Sequence, residues 1–337
     1  ASGNQTIYLF NDSVGSSADF YDSAVGGLVI TSVTITDTNS SANFWFYDDL
    51  AGGVTVTVSD ADPADGVTGI NDDTDNVTVN HAVATKYVIL DPTDGTVDDP
   101  ITVTVQLQDQ FGNVVTTGAD KDKDVTLNAD GSATGDGLVD IVNGVGTKDL
   151  SDTLSQTVNL TLTDSETTTF NVASTQDVVF AHGVATKYVI LDPTDGTVDD
   201  PITVTVQLQD QFGNVVTTGA DKDKDVTLNA DGSATGDGLV DIVNGVGTKD
   251  LSDTLSQTVN LTLTDSETTT FNVASTQDVV FAPGVTTHLT VTDVTDPVVA
   301  RVTSDVTVTA KDQYDTHSAY TGQLFHITDV RALHSTG

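Results

Sequence analysis

The stretch ITVTVQLQDQFGNVV, residues 101–115, decides the fold class of this 337-residue chain. Its first eight residues alternate Ile, Val and Leu with Thr and Gln, which is the period of two expected of a half-buried β-strand. Val103, Val105 and Leu107 therefore share one face and point inward. Asp109, Gly112 and Asn113 follow as turn formers, and Val114 resumes the apolar run.

The same stretch recurs at 202–216, because His81 to Ala181 reappears as His182 to Ala282, with Ala82 against Gly183 as the one difference. A diverged third copy begins near residue 283: GVTTHLTVTD matches GVATKYVILD, and VTVTAKDQYD matches VTVQLQDQFG. It runs for half a repeat to Gly337. Within each full copy YVIL, ITVTVQLQ, DVTLN, LVDIV, TVNLTLT and DVVF are Val/Thr/Ile-rich runs separated by Gly, Asp and Asn turns, and no helical period is present. About seven short strands in about 100 residues predict an all-β chain of tandem immunoglobulin-like Greek-key β-sandwiches. The expected domains are 81–181, 182–282 and a partial 283–337, preceded by a distinct small β-domain over 1–80.

Composition narrows the function. Fifty Asp and Glu against eleven Lys and Arg give a net charge of −39, which repels nucleic acid and anionic membrane and attracts cations. Only Glu166 and Glu267 are Glu, so the acid is almost wholly Asp, a residue of turns and loops. Such loops suit Ca²⁺, although a surface adapted to high salt is also acidic. There is no Cys for disulfides or thiol chemistry, and no apolar run long enough to span a bilayer.

The alternating strand, Asp-x-x-Gly-Asn and Val at 103–115 and 204–216 resemble bacterial immunoglobulin-like repeats of the invasin and intimin type. NGVGTKDLS followed by TVNLTLTD resembles the same family's Gly-bearing turn and penultimate strand. VTAKDQYD and AYTGQLFHITD in the third copy are similar to related repeats of bacterial and archaeal surface proteins. The resemblance covers about residues 82–337. It implies an extracellular spacer, stalk, fibre or surface-layer building block. The third copy departs from the pattern, with Thr316 and His317 where the repeats have Gly-Asn, which leaves the turn after its second strand open.

The acidic stretch DPTDGTVDDP occurs at 91–100 and again at 192–201. As a loop between the first two strands it is expected at the end of the sandwich where the last strand leaves. Asp91, Asp94, Asp98 and Asp99, and likewise Asp192, Asp195, Asp199 and Asp200, then form half of an oxygen-rich junction. Asp109, Asp164 and Glu166, with Asp210, Asp265 and Glu267, belong to the opposite end and form the other half. One junction earlier, Asp60, Asp62 and Asp65 with Asp72, Asp73 and Asp75 are placed to face Asp109, Asp164 and Glu166. Carboxylates gathered in this way repel one another unless a cation bridges them, and hard oxygen donors favour Ca²⁺. The plainer reading is a set of ordinary turns, since Asp-Pro and Asp-Gly are turn formers. The third copy has DVTDPVVARV here, with Ala300 and Arg301 in place of Asp199 and Asp200, so the turn itself does not need the Asp pair.

Residues 1–80 read as strands QTIYLF, LVITSVTIT, NFWFYDD and GVTVTVSD around the acidic loop DADPADGVTGINDDTDN. The aromatic run Phe44 to Tyr47 cannot present all four rings on one strand face. It is either buried on both faces or an aromatic patch at a subunit contact. Gln5–Phe10 is a candidate strand to donate to the half sandwich of a neighbouring subunit, if the chain does not itself continue. Asn4, Asn11, Asn39, Asn76, Asn159 and Asn260 begin Asn-x-Ser/Thr sequons, the last two inside a strand. His81 and His182 occupy equivalent linker positions and read as solvated hinge residues. No nucleophile-base arrangement is present, so no catalysis is expected. The sequence points to a Ca²⁺-stiffened surface-layer or filament subunit, with an adhesin stalk or a carbohydrate-binding accessory module as alternatives.

Overall fold

In the computed structural model, residues 3–291 and 307–317 are described, and every regular element among them is a β-strand. The chain divides into two compact units, residues 1–181 and 182–337. Within the first unit no described sheet crosses residue 80, because the small domain and the first repeat each close their own strands.

The small domain contains β1 (Gln5–Asn11), β2 (Asp19–Tyr21), β3 (Val29–Ile30), β4 (Ser32–Ile35), β5 (Trp45–Tyr47), β6 (Gly52–Ser59) and β7 (Asp73–Val79). They form a four-stranded sheet, β4-β1-β6-β7, and a three-stranded one, β3-β2-β5. Leu9, Phe20 and Val56 are the buried centre, with Phe44 and Phe46 packed on Phe20 at ring distances of 5.5 and 5.4 Å. Two sequence expectations change here. The aromatic run is not buried on both faces, since Phe46 turns inward while Trp45 and Tyr47 are exposed. Gln5–Phe10 is not a free arm either: β1 pairs with β4 from Gln5 to Tyr8 and with β6 from Tyr8 to Asn11, so donating it would dismantle its own sheet.

The first repeat contains β8 (Lys86–Ile89), β9 (Gly95–Thr96), β10 (Ile101–Gln108), β11 (Val125–Ala129), β12 (Gly137–Val139), β13 (Val145–Leu150), β14 (Gln156–Asp164) and β15 (Gln176–Ala181). Sheet β13-β10-β8 packs on sheet β12-β11-β14-β15-β9, the Greek-key sandwich expected. Val103, Val105 and Leu107 are fully buried, as the alternation predicts. Each such side chain contributes about 1.5–3 kcal/mol by leaving water. Truncating Leu107 to Ala would add a cavity, for a loss of about 2–5 kcal/mol. Tyr87 is also buried, its hydroxyl donating to the Lys123 and Asp124 carbonyls, and desolvation pushes its pKa up to about 12.

The eighth strand is the one the sequence hides. The chain leaves β8 on one sheet and enters β9 on the other, where Phe180 and Ala181 pair in parallel with Gly95 and Thr96. DPTDGTVDDP is therefore a sheet-switching segment with a strand inside it, not a simple loop. The second repeat carries the same eight strands from β16 (Lys187–Ile190) to β23 (Gln277–Ala282), and its core repeats the first. Of the third copy, β24 (His288–Val291) and β25 (Val308–Lys311) are described as an antiparallel pair. The stretch DVTDPVVARV, 293–302, lies outside the described residues, as does AYTGQLFHITD beyond Ser318.

Candidate functional site

Strands β6 and β7 form a hairpin whose final pair is Val58 with Asp73, and the loop they enclose is 60–72. That closure brings Asp60 and Asp72 together at the loop's neck. Inside the loop Asp60 Oδ2 accepts from Ile70 N at 3.2 Å, and Asp72 Oδ2 accepts from Gly66 N at 2.7 Å, while Asp72 N donates to Gly66 O at 2.7 Å. Gly69 sits at φ +74°, and a Cβ there would meet Asp60 Oδ2 at 2.7 Å, so the close approach requires glycine.

One oxygen of each carboxylate is thus tied to the backbone. The other, Oδ1 of Asp60 and Oδ1 of Asp72, is buried and has no hydrogen-bond partner. Asp65 brings a third carboxylate, and the three offer oxygens within 4.8 Å of one another. A Ca²⁺ ion with ligands at about 2.4 Å spans oxygens up to about 4.8 Å apart. Three formal negative charges and two orphaned buried oxygens are the donor set a hard divalent cation satisfies. The residues fit Ca²⁺, with carbonyls and water to complete the shell. Nitrogen and sulfur donors for Zn²⁺ are absent from the trio.

The other predicted ligands are placed elsewhere. Asp62 is exposed on the loop, and Asp73 and Asp75 are exposed along β7, Asp75 accepting from Asn76 N. Asp109 is fully buried beneath the Asp-x-x-Gly-Asn turn. Its Oδ1 accepts from Phe111 N and Asn113 N, both at 2.9 Å, and its Oδ2 accepts from Ala82 N at 2.8 Å and Asn113 Nδ2 at 3.0 Å. Burial alone would raise this carboxyl, but these donors outweigh it and hold the group below the usual carboxylate range. Asp210 repeats the arrangement with Phe212, Gly213, Asn214 and Gly183.

Asp164 closes its own loop, accepting from Glu166 N, Thr169 N and the Thr168 hydroxyl. Glu166 pairs with Lys123 at 2.7 Å and caps Asp124 N. Asp265 and Glu267 do the same in the second repeat, Glu267 with Lys224 at 2.9 Å. Asp94 and Asp195 accept from Val179 N and Val280 N, each at 2.8 Å, and so fasten β9 and its equivalent beside the last strand. Asp199 accepts from Val285 N at 2.6 Å and Gln313 Nε2 at 3.1 Å, which ties the second repeat to the third copy through N–H donors. Asp91, Asp99, Asp192 and Asp200 are exposed, and Asp98 is half-buried. Among the described residues, then, only Asp60, Asp65 and Asp72 bring three carboxylates close enough to share one cation. The expectation that Asp109, Asp164 and Glu166 complete it from the next domain gives way to a closed, single-loop trio.

Three roles were not read from the sequence. Asn113 links the first repeat to the small domain, its Nδ2 donating to Asp49 O and its Oδ1 accepting from Ala51 N, both at 2.8 Å. His81 is a clasp rather than a solvated hinge: Nδ1 lies 2.7 Å from Ala82 O, and Nε2 accepts from Thr117 N at 3.1 Å. His182 makes the same contacts with Gly183 and Thr218. Third, Asp152 is buried where Ser132, Leu154 N and Gln156 converge on it. The third copy keeps its turn by substitution. The residues in place of Gly-Asn are Asp315 and Thr316, one position earlier than the Thr316 and His317 expected: Asp315 takes φ +65° where the repeats have Gly112 at +97°, and Thr316 replaces Asn113, its N–H and hydroxyl both donating to Asp312.

No family model matches the chain, and no curated protein matches it. Among solved structures it is similar to the Escherichia coli adhesin FdeC, at 14% identity over 83% of this chain and 87% of that one with a TM-score of 0.33. It is also similar to invasin, a bacterial integrin-binding protein, at 13% identity over 85% of this chain and 54% of that one with a TM-score of 0.35. A third is a fragment of the S-layer protein SbsC, domains 4 and 5, at 15% identity over 60% of this chain and the whole of that one with a TM-score of 0.26. Likenesses this low add nothing to what the chain's own residues say of its function.

Proposed function

We propose that this chain is an extracellular structural protein, a subunit of a surface layer or filament in which immunoglobulin-like repeats serve as length units and Ca²⁺ fixes the loop of the small domain. The observation that carries the reading is the pair of repeats that differ at one position, each closed around its own core, with its buried carboxylates consumed by internal N–H donors. A duplicated module of this kind extends a protein without adding chemistry. The Asp-rich acidity keeps such a chain soluble until it assembles. Ca²⁺ enters at Asp60, Asp65 and Asp72, where it would satisfy the two orphaned oxygens and hold the loop. Sugar at the sequons is compatible at Asn159, which is exposed, its amide donating to Asp177 at 2.8 Å.

An adhesin stalk uses the same modules but does not polymerise. Electron microscopy of the purified protein with and without Ca²⁺ separates the two: regular sheets, tubes or fibres support the assembly, and isolated rods under all conditions support the stalk.

A further inference from the structure

The sheet β3-β2-β5 buries one face and bares the other. Ile30, Phe20 and Phe46 stand opposite one another across its three strands and line the inner face. On the outer face Val29, Tyr21 and Trp45 form the neighbouring row, and Asp19 stands opposite Tyr47 one step along. Val29 is 56% exposed, Trp45 40% and Tyr47 44%. Tyr21 and Tyr47 meet edge to face at 6.4 Å and 88°, so their rings form a corner rather than a flat platform. The Asp19 carboxylate beside them has no hydrogen-bond partner among the described residues, whereas Asp22, Asp48 and Asp49 are each engaged by nearby N–H or hydroxyl donors.

Charge decides what this face suits. Residues 1–80 hold twelve Asp and not one Lys, Arg or His, so all eleven Lys and Arg of the chain lie after residue 80. Cations are drawn to the faces of Trp and Tyr, Trp most strongly, and a neighbouring carboxylate adds to the attraction. The same domain of a second copy brings twelve Asp and no cation to this face, and a neutral glycan gains nothing from Asp19.

We infer that this face binds a Lys- or Arg-bearing segment of a partner protein, with a cationic head group over Trp45 and in reach of Asp19.

Trp45 is the one Trp in the chain, so its emission reports on this face alone. The full chain is titrated with hexa-arginine peptide in 0.15 M NaCl, alongside hexaglutamate and cellohexaose. The expected result is a saturable change in Trp45 emission with hexa-arginine only. Binding should weaken on the order of fivefold in Asp19→Asn and in Tyr47→Ser, and stay unchanged in the exposed-site variant Asp99→Asn. Asp19→Asn keeps the side-chain shape, so it reads out even if Tyr47→Ser fails to fold. Four results would each overturn the inference: no emission change with hexa-arginine, equal weakening by Asp99→Asn and Asp19→Asn, tighter binding of cellohexaose, or an emission change driven by the concentration of the chain itself.

Discussion

Exchanging Asp109 and Asp210 for Asn removes one acceptor oxygen from each repeat while leaving the side-chain shape intact. In the first repeat the carboxylate takes four N–H donors, two on each oxygen. An amide has one oxygen, and whichever way it turns its NH₂ faces two of those donors. Two buried N–H groups left unpaired cost about 1–3 kcal/mol each, so the loss is about 2–6 kcal/mol per repeat. For a domain of about 100 residues, each kcal/mol moves the melting point by roughly 4–8 °C, which gives a drop on the order of 10 °C or more. The double variant is used because the two repeats share one sequence and should melt together. Scanning calorimetry at pH 7 reads the shift.

The acid limb follows from the same carboxylates. Their pKa is depressed in the folded state, so their contribution is whole above the unfolded carboxyl's value and is lost as pH falls through the lower folded one. The wild type's melting point should start to fall as pH drops to the ordinary carboxylate value and keep falling until it passes the lower folded one, and the double Asn variant should lack that part of the profile. A double variant that melts within about 2 °C of the wild type at pH 7 would refute the reasoning.

Further outcomes follow from the small domain. Removing Ca²⁺ with EDTA should lower the transition of residues 1–80, since an ion present at 100 times its Kd contributes about 2.7 kcal/mol, and Asp60→Asn with Asp72→Asn should abolish the response. An unchanged melting curve in EDTA contradicts the site. Gly69→Ala places a Cβ against Asp60 Oδ2 at a left-handed backbone position and should weaken Ca²⁺ binding by calorimetry about tenfold, while Gly52→Ala, which has open space, should not. Asn113→Ala removes the acceptor of Ala51 N and should speed exchange of that amide about tenfold, without unfolding the small domain.

The fold was largely legible because strand alternation reports burial directly, and Val103, Val105 and Leu107 are inside for that reason. The two-residue strand β9 was not, since Gly95 and Thr96 carry no apolar period and are held by a parallel partner 85 residues away. The site was legible as oxygen and illegible as geometry. A sequence shows carboxylates but not the N–H groups that meet them, so Asp109, Asp94 and Asp199 read as ligands when they are acceptors of backbone and amide hydrogens. Asp60 and Asp72 stand out only once the β6–β7 register closes the loop between them. Phe44 to Tyr47 left two readings open, which the pairing of Tyr21 with Trp45 resolves into an inner and an outer face.

The claim that the repeats are length units is tested most directly by deleting residues 182–282 and imaging the assemblies by electron microscopy. The account predicts that assembly persists and that its axial or lattice spacing shortens by one module, at least about 30 Å, the length of the nine-residue strand β14 at about 3.3 Å per residue. An unchanged spacing, or loss of assembly with the remaining domains still folded, would contradict it.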